Sequence, residues 1–205
     1  MDRLKNKIRI DKNLVLFLLV LGLTGIVAGS LFVTILNSSD KQLVSEHLNT
    51  FLDNIESSKI DYIFVLKNNM ITNISYILLI WLLGISVIGL PILLIIFFSK
   101  TFILGFSIGS IISCFKFKGI LFSLAYIFPG SIISLLAILT ITMYAMSFSF
   151  KLIYAIFKKK TIDFKIMINR YSSILFIILI IIILMNLYDT FIMPNIIKTL
   201  LPFIR

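Results

Sequence analysis

The side chains that could do acid–base or metal chemistry lie mostly in one polar stretch, residues 37–73. This stretch holds the single histidine, His47, and acidic residues that include Glu46, Asp53 and Glu56. Two carboxylates can cleave a sugar bond, but these ones fall mostly on the polar side of a single predicted helix. His47 has no partners at metal-ligand spacing, and the sequence contains no Walker loop, GxSxG, HExxH or CxxC motif. We therefore expect no enzymatic activity, no metal and no cofactor.

The composition is typical of an integral membrane protein. The 205 residues are 60% hydrophobic and 14% charged, with a mean hydropathy of +1.10, whereas soluble domains carry about 25% charged residues. The net charge of +10 comes from bases beside apolar runs, which favours membrane orientation over nucleic-acid binding. The single Cys114 lies in an apolar run and is interpreted as a small buried side chain. We expect one all-α membrane domain in contact with lipid.

Apolar runs define the predicted spans, because about 20 apolar residues cross a bilayer core. Basic residues stay in the cytoplasm, so the N-terminus is expected there. Ser99 and Lys100 are interpreted as a short polar turn, and Lys151 and Asp189 as interfacial residues. The expected order is a basic tail 1–13, span 14–36, extracytoplasmic segment 37–73, span 74–98, short span plus half-helix 102–128, span 132–157, basic cytoplasmic loop 158–170 and span 174–193. The central parts of these spans carry no Asp, Glu, Arg or His, which disfavours a proton-coupled carrier.

An amphipathic helix is predicted within the extracytoplasmic segment. Val44, Leu48, Phe51 and Ile55 recur at spacings of three and four residues, which places them on one helix face. This face could lie on the outer membrane surface or pack on the bundle. Alternatively, it could dock an extracytoplasmic partner.

Two glycine patterns provide surfaces for close helix packing. Gly25 and Gly29 form one GxxxG motif, which Gly22 extends, and Gly105 and Gly109 form another. Such faces let helix backbones approach closely. The pairing could be within the chain or between two copies, as a homodimer.

The long apolar stretch 81–110 is interrupted at Gly89, Leu90 and Pro91. Proline lacks the backbone N–H and restricts the residue before it. Inside a bilayer, neighbouring groups can satisfy the freed carbonyls. We therefore predict a kink at Pro91 within the span 74–98, with a structural role.

The same stretch carries a family resemblance. The matching residues are Trp81, Gly84, Ser86, Gly89, Leu90, Pro91, Lys100, Gly105, Gly109 and Pro129. With these residues, the chain resembles the stage II sporulation protein M family, although Thr101 follows Lys100 where we expect glycine. The resemblance implies a protein of the mother-cell membrane that acts in forespore engulfment. It also implies a non-catalytic scaffold for two peptidoglycan hydrolases, sporulation protein D (a transglycosylase) and sporulation protein P (an amidase and endopeptidase).

Two functions are therefore compared below. The first is the scaffold that anchors and localises cell-wall hydrolases. The second is a small-molecule transporter or permease subunit, because transporters use interrupted helices to bind substrate in mid-membrane.

Overall fold

The described part of the chain is a bundle of α-helices. The computed structural model describes residues 11–57, 60–127, 130–158 and 163–204. Its helices are α1 (Lys12–Ile35), α2 (Ser38–Glu56), α3 (Tyr62–Ile85), α4 (Gly89–Ile127), α5 (Gly130–Lys158), α6 (Phe164–Phe191) and α7 (Met193–Ile204). Five of them, α1, α3, α4, α5 and α6, are long and apolar enough to cross a membrane. The predicted all-α, five-span fold class is confirmed.

Short polar residues set the starts of four helices. The side chains of Asp11, Asn37, Asp61 and Asp163 each accept a hydrogen bond from a backbone N–H in the first turn of the helix that follows. An oxygen at this position satisfies one of the N–H groups that a helix start leaves unpaired. The apolar runs therefore become helices with defined first turns.

Cross-helix contacts fix the helix directions. Gly22 faces the ring of Phe97 and Gly109 faces the backbone of Ser30, so α1 and α4 run side by side in the same direction. Helix α3 runs the opposite way, and α6 runs antiparallel to α3. We call the end where α1 begins the near end, and the end where α1 finishes the far end.

The predicted span 74–98 is wrong. Helix α3 ends at Ile85, Ser86 is extended, and α4 begins at Gly89. The turn between them is held by hydrogen bonds from Ser86 N to Leu83 O (3.0 Å) and from Gly89 N to Ser86 O (3.2 Å). Pro91 lies in the first turn of α4, where its missing N–H has no helical partner to lose. The chain therefore turns back here instead of continuing through a kinked span.

The expected turn at Ser99 and Lys100 is also wrong, because both residues lie well inside α4. Helix α4 runs from Gly89 up to Lys116, whose φ of 52° and ψ of −128° break the helix. The first part of the predicted range 102–128, up to Lys116, is thus the second half of a longer helix. Residues 117–127 fold back beside it, with Gly119 against the backbone of Ile111 and Ile112. They lie within the range 102–128 for which a short span plus half-helix is predicted.

The two glycine patterns pack against each other inside the chain. Gly25 faces Thr101, and Gly29 faces the backbone of Phe102 and Phe106. Gly105 in turn faces the backbone of Ile26. A Cβ on these glycines would meet backbone or a buried side chain, so glycine is what allows α1 and α4 to approach so closely. Thr101, where the family pattern predicts glycine, is buried and donates its hydroxyl to the carbonyl of Phe98 at 2.8 Å.

Two apolar clusters stabilise the bundle. The larger lies among α1, α3, α4, α5 and α6 and includes Leu18, Phe97 and Tyr171. The smaller lies at the far end, where α2, α7 and residues 117–127 meet, and its buried members are Leu52, Ile55, Ile111, Phe122, Met193, Ile197 and Leu201. We call this second cluster and its helices the far cap.

Candidate functional site

A charged side chain lies inside the membrane-spanning part of the bundle. Lys100 precedes Thr101, which packs against Gly25 near the middle of α1. Its Nζ donates to Asn73 Oδ1 at 3.2 Å and lies 5.0 Å from the centroid of the Tyr76 ring. An ammonium at this depth is costly unless it is paired, and the amide and ring of α3 provide partners. Lys100 is therefore a candidate functional residue.

The hydrogen bond from Lys100 continues to a third helix. Asn73 Nδ2 on α3 donates to Asn186 Oδ1 on α6 at 2.7 Å. The three side chains therefore connect α3, α4 and α6 in one polar relay. A lysine ammonium has only donors, so Asn73 must turn its oxygen toward Lys100 and its nitrogen toward Asn186.

This relay lines a cavity of about 600 Å³. Asn186, Asp189 and Thr190 of α6 lie on its wall, as do Lys100 of α4 and Asn73 of α3. The amide nitrogen of Asn186 and the hydroxyl of Thr190 are buried and have no hydrogen-bond partner among the described residues. The Asp189 carboxylate lies against Gly130, the first residue of α5. The cavity therefore combines one cation, the two carboxylates of Asp61 and Asp189, and unpaired polar groups with apolar walls.

Sequence reasoning missed Asn73 and Asn186. The available signal was the spacing of Asn186, Asp189 and Thr190, because residues three and four apart share a helix face. An apolar run with a single polar face points to a polar contact inside the bundle. The sequence predicts Lys100 in a short polar turn, because it predicts one span over 74–98 where the structure has the end of α3 and the start of α4.

The residues around Trp81 form a structural joint at the near end. Ser149 on α5 donates its hydroxyl to the carbonyls of Gly84 (2.6 Å) and Ser86 (3.2 Å). Tyr171 on α6 donates to the Trp81 carbonyl at 3.2 Å and stacks on its ring, with centroids 5.9 Å apart. These bonds satisfy carbonyls that the end of α3 leaves free. Pro129 lies outside the described residues.

The predicted docking face on α2 is only partly free. Ile55 is 3% exposed and packs in the far cap, so its assignment as a docking residue is corrected to a core role. Val44 and Leu48 are half-buried, and Phe51 is 42% exposed. Leu52 and Ile55 pack against α7 in the far cap. The other side chains of α2 are partly or fully exposed.

The described residues contain no cluster of metal-ligating side chains. Within residues 11–57, 60–127, 130–158 and 163–204, no three His, Cys, Asp or Glu side chains lie close enough together to hold a metal ion. His47 is exposed on α2.

Comparisons with known proteins give a family. No curated protein and no solved structure matches the chain. The family model described as "Stage II sporulation protein M" matches residues 16–194, a range that runs from α1 into the start of α7. This family is not a known enzyme family, and its name together with five apolar helices indicates a sporulation-related, multi-pass membrane protein. The chain belongs to the stage II sporulation protein M family.

Proposed function

We propose that this protein is a non-catalytic membrane scaffold of forespore engulfment, which anchors and localises peptidoglycan hydrolases of the transglycosylase and amidase types. The family match over residues 16–194 carries this proposal. The sequence adds support, because it lacks a recognisable catalytic motif.

The charge distribution supports an orientation that suits this role. Lys158 ends α5 at the near end, and Lys165 and Arg170 lie in the first turns of α6. Basic residues favour the cytoplasmic side, so the near end belongs in the cytoplasm and the far cap outside, where peptidoglycan lies. In the mother-cell membrane, α2 would then face the hydrolases.

The outer edge of α2 is the proposed docking surface. Leu43 is 54% exposed and Phe51 is 42% exposed, while the buried Leu52 holds the helix to the far cap. Exposed apolar side chains on an anchored helix suit recognition in an apolar groove of a partner. This surface can therefore be altered without removing the core residues beneath it.

The test is co-purification of the tagged protein from sporulating cells in mild detergent, followed by mass spectrometry. The double variant Leu43→Glu/Phe51→Glu should recover at least tenfold less of both hydrolases than the wild type. The matched control Gln42→Glu/Asn49→Glu changes exposed polar residues of the same helix and should recover them fully. Equal recovery with both double variants would reject the α2 surface, and absence of hydrolases from the wild-type sample would reject the scaffold.

A transporter or permease subunit is the second candidate, favoured by the cavity that reaches Lys100. Transporters place their substrate sites at this depth. Purified protein in proteoliposomes would then show substrate flux that Lys100→Met abolishes. Co-purification of an ATPase or a soluble binding protein without hydrolases would also favour transport.

A further inference from the structure

The polar relay inside the bundle has a fixed direction. Lys100 can only donate, so each hydrogen bond from it to Asn73 and on to Asn186 points the same way. The last group of the relay is therefore an N–H donor, Asn186 Nδ2. Asn186 is 2% exposed, and this nitrogen has no partner among the described residues. A buried donor left unpaired is costly, and Asn186 is one of the residues that line the cavity.

A second unpaired group lies one helical turn further along α6. Thr190 is 1% exposed, lines the same cavity, and its hydroxyl has no hydrogen-bond partner in the described ranges. Lys100 has three N–H donors, of which one reaches Asn73. The residues on one side of the cavity thus carry an ammonium, an amide N–H and a hydroxyl, a set that suits an anionic acceptor such as a phosphate.

The cavity also contains negative charge. Asp189 lies on its wall, and Asp61 lines it from the start of α3, where its carboxylate accepts from two backbone N–H groups. A purely anionic ligand would meet Lys100 but would also be repelled by these two carboxylates. A ligand with an ammonium beside its phosphate satisfies both signs of charge.

The remaining walls are apolar. Ile103, Leu104 and Leu135 line the cavity, and Phe64 and Val65 contribute from α3. A volume of about 600 Å³ lies in the range of sites for organic ligands. Apolar walls around a few convergent polar groups are typical of such sites, and they suit the hydrocarbon part of an amphiphile.

We propose that this cavity binds a zwitterionic phosphoethanolamine group, with its phosphate at Lys100, Asn186 and Thr190 and its ammonium at Asp189. The group could come from a membrane lipid or from a soluble molecule, and the shared chemistry is the same. The proposal does not depend on the scaffold role, because its charged and polar contacts come from α4 and α6; Phe51 of the α2 docking surface lines the cavity but makes none of these contacts.

The test uses the full chain in a neutral detergent, with binding followed by the thermal midpoint and by fluorescence of the single Trp81. The probes are phosphatidylethanolamine, phosphatidylglycerol and free O-phosphoethanolamine. Phosphatidylethanolamine should bind at least tenfold more tightly than phosphatidylglycerol, which lacks the ammonium. Saturation by free O-phosphoethanolamine at a similar concentration would identify a soluble source, whereas a response to the lipid alone would identify the membrane.

Charge variants separate a binding role from a structural one. Lys100→Met should weaken phosphatidylethanolamine binding at least tenfold, and Asn186→Leu should do so by removing the terminal donor. Asp189→Asn should instead remove the preference, so that the two lipids bind equally. The control Lys116→Met, an exposed residue of the same helix, should bind as the wild type does.

The comparison of phosphatidylethanolamine with phosphatidylglycerol uses the wild-type protein, so it tests the proposal even if one variant does not fold. Equal affinity of the wild type for the two lipids would overturn it, as would no response to any of the three probes. Unchanged binding in Lys100→Met or Asn186→Leu would overturn it as well. A folded Asp189→Asn protein that retains the tenfold preference would reject the ammonium site.

Discussion

Lys116 has the backbone conformation that a side chain tolerates least. Among the described residues other than glycine, it is the one with a positive φ, at 52°. Its ψ of −128° lies far from the left-handed helical region, and glycine reaches such angles without a steric penalty. The side chain itself is exposed, so no contact of the core depends on lysine here. The position needs a turn, and the lysine makes that turn strained.

Replacing Lys116 with glycine should therefore stabilise the protein. We expect Lys116→Gly to raise the free energy of unfolding by about 1 kcal/mol, because it removes backbone strain. The measurement is the thermal midpoint and denaturant midpoint of the purified protein in detergent. Lys118→Gly, two residues on in a regular helix, is the matched control and should lower stability by about 1 kcal/mol. A loss of stability in both variants would contradict the interpretation that the backbone at Lys116 is strained.

At the scale of elements, the turn between α3 and α4 depends on glycine more than on proline. A Cβ on Gly89 would meet the carbonyl oxygen of Leu83, which the turn brings close. Pro91 is exposed and lies in the first turn of α4, where proline is well tolerated. The expected kink at Pro91 is thus replaced by a tight turn just before it.

Two alanine variants distinguish these roles. Pro91→Ala should change the free energy of unfolding by less than about 1 kcal/mol, because only the preset φ of the first turn is lost. Gly89→Ala should lower it by about 1–3 kcal/mol, because the backbone must move apart. Thermal unfolding of both proteins in one detergent provides the comparison. A larger loss for Pro91→Ala than for Gly89→Ala would restore the kink interpretation.

The sequence predicts helices well where polar residues separate them. The first span, 14–36, lies close to Lys12–Ile35, and 132–157 lies close to Gly130–Lys158. The middle could not be divided in this way, because the turn at 86–88 is made of Ser, Val and Ile inside one apolar run. Helix α6 begins at Phe164, ahead of the predicted 174, because it includes Lys165 and Arg170 outside the apolar run.

The candidate site was less predictable than the helices. Lys100 was found through the family pattern, but its contact with Asn73 depends on the turn that pairs α3 with α4. Asn186 joins them only because α6 runs antiparallel to α3. Long-range pairing of this kind has no local sequence signal, whereas the spacing of Asn186, Asp189 and Thr190 does.

For the whole molecule, the near end and the far end should face different compartments. We expect the near end in the cytoplasm, because its basic residues favour that side, and the far cap outside. In a Cys114→Ser background, a cysteine at the exposed His47 of α2 should react with a membrane-impermeant maleimide in intact cells. A cysteine at Lys158 should react only after the membrane is permeabilised.

The two labelling positions control for each other, because both are exposed in the structure. If only the cysteine at Lys158 reacted in intact cells, the orientation would be the opposite of the one expected. The far cap would then face the cytoplasm, and the proposed docking surface could not meet enzymes of the cell wall.

The short turn at 86–88 has a consequence for synthesis and membrane insertion. Helix α3 is the least apolar of the five candidate spans, since Lys67, Asn68, Asn69 and Asn73 lie in it. The turn after it carries no charge to hold one helix in place while the next is made. We expect α3 and α4 to leave the translocation channel together, as a preformed hairpin. In that hairpin, Lys100 already has Asn73 as its partner when it first meets lipid.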